Sequence, residues 1–206
     1  MKYSAVKILI AANVAVFVAQ LATHGLLEHW FALQPLQPVY GVVLFHVWQL
    51  VTYAFLHSTE NLAHLLFNMV ALWMFGRPVE NAVGPRRLLT CYFAAVITAA
   101  LTQLFVPGIL GAPPAPVVGA SGGVFGLILA CAVLFPYAKV FVFFVPIGVP
   151  MWLFAAGYAG VELYLGVTGR LADVAHFAHL GGLIGAALVI FQWRWTARSR
   201  SPRRRG

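Results

Sequence analysis

Acidic residues are almost missing from this chain: five Asp and Glu in 206 residues, against thirteen Lys and Arg. Charged residues of both signs make up only 9% of it, while 62% is hydrophobic and the mean hydropathy is +0.88. A soluble domain carries about a quarter charged and about half apolar residues, so this chain has too little polar surface to cover a water-soluble globule. That shortage excludes a soluble enzyme or a nucleic-acid-binding domain. Cysteine is scarce too. Cys91 and Cys131 both lie in apolar runs, which argues against a disulfide scaffold and against a metal clip. The formal charge of +8 does not point to nucleic acid, because six arginines (Arg194, Arg198, Arg200, Arg203, Arg204 and Arg205) crowd the last thirteen residues. They form a basic tail, 194–206, on an apolar body, 1–193.

With so few charges, the gaps between them outline the topology. The uncharged stretches are 8–27, 29–59, 61–76, 88–138, 140–161 and 174–193, and a spanning helix takes about 20 mostly apolar residues. They predict six spans, at about 5–22, 61–76, 88–106, 120–136, 146–166 and 174–193, in an all-α membrane bundle. Between the first two spans, Pro35, Pro38, Gly41 and His46 are mixed with Trp30, Phe31, Tyr40, Phe45 and Trp48. This stretch reads as a long loop lying in the membrane interface. Pro107-Gly108, Gly111 and Pro113-Pro114-Ala115-Pro116 break the long gap into two spans, and Pro146 and Pro150 lead into the fifth. The first span lacks a small-x-small cleavage site and is followed by five more, so it is read as a span and not a removable signal peptide. No soluble domain is expected at either end, and no repeat recurs at a fixed period.

Orientation follows from Lys and Arg in the short loops. Six spans put both termini on one side, which collects Lys2, Lys7, Arg77, Arg86, Arg87, Lys139 and the six tail arginines, leaving only Arg170 on the other. The termini are therefore expected in the cytoplasm, and the 23–58, 107–118 and 167–173 loops outside.

Polar groups inside lipid are functional candidates by default. In the third uncharged stretch, 61–76, His64 and Asn68 stand at i, i+4, on one helix face. They suit either a functional pair or interhelical hydrogen bonding, typically about 0.6 kcal/mol. Farther on, Gly119-Ala120-Ser121-Gly122-Gly123-Val124-Phe125-Gly126 opens a helix with a serine among glycines. Free N–H groups and the helix dipole there favour a developing negative charge, which a nucleophilic serine requires. The plain alternative is an N-capping serine with Gly122 and Gly126 as a close-packing face. The last span carries His179, followed by small residues at Gly182 and Ala186. If that stripe packs on Gly122 and Gly126, His179 comes within reach of Ser121. His176, one turn earlier, is the competing base, but only His179 has the small-residue stripe at the right offset. His176 and Asp173 read as a polar rim at the outer interface. Glu162, within the fifth span, is left without a role.

The motifs Trp48-Gln-Leu-Val-Thr-Tyr-Ala-Phe-Leu-His57, His64-Leu-Leu-Phe-Asn68, Phe75-Gly76 with Glu80 and Gly84, Gly119-Ala-Ser121-Gly and Ala178-His179-Leu-Gly-Gly occur in this order. In this the chain resembles the rhomboid family of intramembrane serine proteases. The resemblance implies a Ser121–His179 dyad with no third acid. It also implies an oxyanion hole from the His64 and Asn68 side chains and the Ser121 N–H, and an aromatic ring, Phe125, packed on the catalytic imidazole. Implied substrates are single-pass transmembrane proteins cut near the outer membrane surface, with no metal and no cofactor. Two features depart from the pattern. Gln49 stands where the family often has arginine, which removes a salt bridge from the interfacial loop, and the stretch from His57 to His64 is somewhat long.

Rival readings fare less well. A catalytically silent helix-binding relative would be expected to lack the serine or the histidine. A transporter or proton relay through His64, His179 and Glu162 would be expected to show two related halves and a midplane site. A metalloprotease would need an H-E-x-x-H helix, which is absent. The lipid bilayer is the other expected partner, its anionic headgroups facing the basic tail. By analogy with compact bacterial members, the expected location is a bacterial inner membrane.

Overall fold

The computed structural model describes residues 3–38, 42–111, 113, 115–141, 147–170 and 174–200, the last four without their side chains. Lys2, Tyr40, Gly41, Pro114, Pro146, Asp173 and the arginines at 203–205, which entered the sequence reading, lie outside the described residues. The elements in chain order are α1 (Ala5–Thr23), α2 (Leu26–Phe31), α3 (Gln49–Thr52) with a 3₁₀ turn (Tyr53–Phe55), α4 (Leu62–Val83), α5 (Pro85–Ile109), α6 (Ser121–Leu134), β1 (Lys139–Phe141), β2 (Gly148–Pro150), α7 (Met151–Thr168) and α8 (His176–Arg200).

The chain is mostly helical, and α1, α4, α5 and α8 are long and apolar enough to cross a membrane. Their outward faces carry large apolar side chains such as Ile8, Val18, Phe105, Leu188 and Phe191, a surface suited to lipid and not to water. Helix α6 differs. Its 14 residues rise only about 21 Å, short of a hydrocarbon core of about 30 Å. Ten of those residues are buried, because α4, α5, α7 and α8 surround α6. Protein, not lipid, is its solvent. Helix α7 is continuous over 18 residues, but its apolar sequence is interrupted by Glu162.

Several boundaries differ from the sequence reading. The helix expected to stop at Gly76 runs on through Arg77 and Pro78 to Val83, because Val79 is buried and Glu80 has a partner. The Glu80 carboxylate accepts from the N–H of Ala5 at 2.6 Å and from the Ser4 hydroxyl at 2.8 Å. It fills the N-terminus of α1, where free N–H groups and the dipole favour an anion. Helix α5 continues through Pro107 to Ile109; the turn comes at Gly111, whose φ of 75° is left-handed. Residues 139–141 and 148–150 form an antiparallel strand pair, with Lys139 opposite Pro150 and Phe141 opposite Gly148. The fifth segment therefore becomes helical only at Met151, after Pro150, instead of near 146. Helix α8 starts at His176 and extends beyond 193 to Arg200, since residues such as Arg194 and Ala197 are good helix formers.

The segment between α1 and α4 is tied down without an ion pair at Gln49. That side chain is fully buried. Its Oε1 accepts from the N–H groups of Gln34 and His46, at 3.2 and 3.1 Å, and its Nε2 donates to the carbonyls of Trp30 and Leu44, at 3.2 and 3.3 Å. Gln20 of α1 anchors the other end, pairing with the backbone of His57 at 2.9 Å in both directions. This segment in turn holds the loop before α6: Leu33 pairs with Val117 through two backbone hydrogen bonds, and the Gly119 N–H donates to the Tyr53 carbonyl at 3.0 Å.

Candidate active site

Ser121 opens α6 and His179 lies in the first turn of α8; His179 Nε2 is 2.8 Å from Ser121 Oγ. Helix contact at small residues sets this approach. A β-carbon on Gly182 would run into the Gly122 carbonyl, and one on Gly126 would meet the Ala186 methyl and the Gly182 carbonyl, both at 3.3 Å. Gly181 and Gly185, not singled out in the sequence, are equally tight on the other flank. There a β-carbon on Gly181 would lie 2.6 Å from the Thr98 carbonyl and one on Gly185 2.5 Å from that of Ala94. One turn after Ser121, the Phe125 ring stacks on the His179 imidazole, with centroids 4.2 Å apart and planes 7° apart.

His64 and Asn68 share with Ser121 and His179 a mostly apolar cavity of ≈ 980 Å³. The Ser58 N–H donates to His64 Nδ1 at 3.2 Å, which leaves Nε2 to carry the proton as a donor. That nitrogen faces Gly119, where a β-carbon would lie 2.9 Å from it. Gly119 also has a φ of 129°, so backbone conformation and space both call for glycine. Asn68 is placed differently: its Nδ2 donates to the His64 carbonyl one turn back, at 2.8 Å, which leaves its second N–H for other partners. Beside this pair, His57 is buried in the loop. Burial first, and the neighbouring His64 second, push its imidazole down to about 4.

The main departure from the sequence reading is on α7. His176 does not face the outer interface as a rim residue; it is buried. Its Nδ1 is 2.6 Å from Glu162 Oε2 and its Nε2 is 3.2 Å from the Arg170 carbonyl. The same Glu162 oxygen lies 3.0 Å from His179 Nδ1. That contact is short enough for an ion pair but lies off the axis of a good N–H···O hydrogen bond, so Nδ1 has no aligned partner among the described residues. A buried carboxylate thus touches the side of the imidazole opposite Ser121, although the resemblance implied no third acid. Sequence inspection marked Glu162 as unusual, since a carboxylate inside an apolar helix is costly, but gave it no partner.

Glu162, His176 and His179 bring one donor atom each to within 4.8 Å of the others, so they are the residues by which a metal could be held. Tetrahedral zinc with such ligands spaces donor atoms about 3.3 Å apart. The 2.6 Å between Glu162 and His176 is a hydrogen-bond length. Cys91 and Cys131 are free and buried.

Comparison with known proteins agrees with this arrangement in kind. The rhomboid domain family matches residues 44–195. The chain is 32% identical over 138 residues, 66% of its length, to "Rhomboid protein 1, mitochondrial" of Saccharomyces cerevisiae. It is also 32% identical over 138 residues, 67% of its length, to "Rhomboid protease GluP" of Bacillus subtilis, and 28% identical over 159 residues, 75% of its length, to "Rhomboid protease GlpG" of Serratia proteamaculans. The matches cover 39%, 24% and 50% of those relatives, so the chain aligns with half of their length or less.

Proposed function

The chain belongs to the rhomboid family and is an integral membrane protein, and from that premise we propose that it is a serine endopeptidase cutting single-pass transmembrane proteins. The observation that carries the proposal is the 2.8 Å approach of His179 Nε2 to Ser121 Oγ at the N-terminus of α6. Ser121 Oγ attacks the scissile carbonyl carbon while its proton passes to His179 Nε2. The carbonyl electron pair moves onto oxygen, and the Ser121 N–H, the His64 Nε2–H and the free N–H of Asn68 receive it. His179 then returns the proton to the leaving amine as the C–N bond breaks. Phe125, stacked on His179, holds the ring in plane for both transfers.

The remaining parts of the proposal concern the membrane. Six segments (α1, α4, α5, α7 and α8, and the short α6 together with the loop before it) cross it, both termini are cytoplasmic, and the 24–61 segment lies in the outer interface. If α6 ends at the inner boundary, its length leaves Ser121 roughly 10 Å inside the outer one, within the ≈ 980 Å³ cavity. A substrate helix has to unwind near its outer end to present a peptide bond there. The basic tail faces anionic headgroups of the cytoplasmic leaflet, in a bacterial inner membrane. A silent helix-binding role is the alternative, and it predicts binding without cleavage.

The test is cleavage of a labelled single-pass substrate by the purified chain in liposomes. Activity is expected to vanish in Ser121→Ala and His179→Ala proteins that retain their fold. Cleavage that survives either substitution would overturn the proposal, and binding without cleavage by the unaltered chain would support the silent alternative.

A further inference from the structure

Glu162 is 6% exposed, yet it sits in a helix of which only Met151, Ala155 and Glu162 itself are buried. An ionisable group in such a place costs free energy unless it is paired. Its pairing is specific: one oxygen serves both His176 Nδ1 at 2.6 Å and His179 Nδ1 at 3.0 Å. We propose that Glu162 is a positioning residue for His179, completing a Ser121–His179–Glu162 relay in which His176 holds the carboxylate. This inference rests on the protease reading above and adds to it an acid that the Ser–His dyad lacks.

The geometry assigns each part a task. A carboxylate at Nδ1 fixes the tautomer that carries its proton there, so that Nε2 presents a lone pair to Ser121. When the Ser121 proton reaches Nε2, the ring becomes an imidazolium, and a negative charge about 3 Å away stabilises it in a water-poor site. The carboxylate takes no proton in this step; the Nδ1 proton stays on His179 throughout. The resting contact is off-axis, as catalytic hydrogen bonds often are before substrate tightens them. His176 presents both ring nitrogens to acceptors, Glu162 on one side and the Arg170 carbonyl on the other. It thus anchors the Glu162 oxygen to the start of α8, one turn from His179. Among the described residues, the other titratable side chain facing Glu162 is Tyr158, on its own helix one turn earlier, and His64 faces His179 from α4.

The consequence concerns α7 as well as chemistry. Because the acid belongs to α7 and the base to α8, the relay exists only while the outer ends of these helices are in contact. A shift of α7 that opened the cavity would leave His179 without its carboxylate.

The experiment uses the full chain in liposomes with a fluorogenic single-pass substrate, comparing unaltered protein with Glu162→Gln, which keeps size and polarity but loses charge. The expected result is a kcat lower by about 10²-fold, the scale of a misaligned catalytic group, with KM unchanged and Ser121 still labelled, more slowly, by a serine-directed probe. The unaltered chain in micelles is also expected to show a downfield Nδ1 proton resonance that persists in His176→Asn. It should disappear in both Glu162→Gln and His179→Ala. Unchanged kcat per folded molecule in Glu162→Gln, or a resonance insensitive to it, would overturn the relay while leaving the protease reading intact. An unaltered chain that neither cleaves nor labels would overturn both.

Discussion

Gly182 lies against Gly122 so closely that no β-carbon fits between its α-carbon and the Gly122 carbonyl oxygen. Ser121 precedes Gly122 directly, and His179 is three residues before Gly182. This backbone contact therefore sets the spacing of the two reacting side chains. Gly182→Ala is expected to push α8 off α6, lowering stability by about 1–3 kcal/mol and abolishing substrate cleavage. Gly157→Ala and Gly160→Ala are the controls. Nothing lies within 4 Å of a β-carbon at either position, so both should melt at or above the temperature of the unaltered protein, since alanine is the better helix former. A folded, active Gly182→Ala protein would show that the contact does not set the site.

Phe125 offers a graded test of the stack. Its ring is nearly parallel to the His179 imidazole, and such contacts contribute about 0.5–1.5 kcal/mol beyond area burial. Phe125→Leu should lower kcat by roughly 2- to 10-fold, with Tm little changed. Phe125→Tyr should retain most of the activity. Steady-state cleavage in liposomes separates these outcomes.

The positions of the main helices were legible because charge is so rare that its gaps nearly coincide with apolar helices. The α6–α8 contact was legible too, because only small residues at helical spacing allow backbones so close, as at Gly122, Gly126, Gly182 and Ala186. Other features were not. The strand pair 139–141 and 148–150 is three residues per strand within an apolar run and shows no alternation to distinguish it. Glu162 is fourteen residues from His176 on another helix, and its contact depends on how α7 is rotated about its axis, which a nearly uniform apolar sequence does not reveal. His176 looked like a rim residue because its partner was unknown. The extent of α4 was hidden for a similar reason: Glu80 entered the sequence reading only as part of a motif, and its partner, the N-terminus of α1, is 75 residues away.

His57 predicts a pH effect on stability. Its imidazole, about 6.5 in an unfolded chain, is held down to about 4 by burial and by His64. Below pH 6.5 the unfolded chain takes up a proton that the folded protein refuses, so stability falls as pH drops from 6.5 toward 4 and is complete above that window. The full effect is about 3 kcal/mol. Thermal melts in detergent should show Tm falling across this range, with a shallower fall in His57→Gln. Identical slopes for the two proteins would assign the loss to other groups.

Gln49 predicts what holds the 24–61 segment. Its amide satisfies four backbone groups, the N–H of Gln34 and His46 and the carbonyls of Trp30 and Leu44. Gln49→Leu keeps the volume and removes every one of these partners. Leaving a buried polar group unsatisfied costs about 1–3 kcal/mol, and the four are not additive, because the segment can shift to let in water. A destabilisation of about 3 kcal/mol is therefore expected, with the segment becoming sensitive to protease added on its side of the membrane. Gln49→Arg is the sharper comparison. The guanidinium has donors and no acceptor, so it can serve Trp30 and Leu44 but not the N–H groups of Gln34 and His46, and no acidic residue is among the groups Gln49 now holds. Gln49→Arg should thus be destabilised rather than strengthened by the added charge. An arginine variant that melts higher than the unaltered chain would mean that the segment is anchored by something other than this amide.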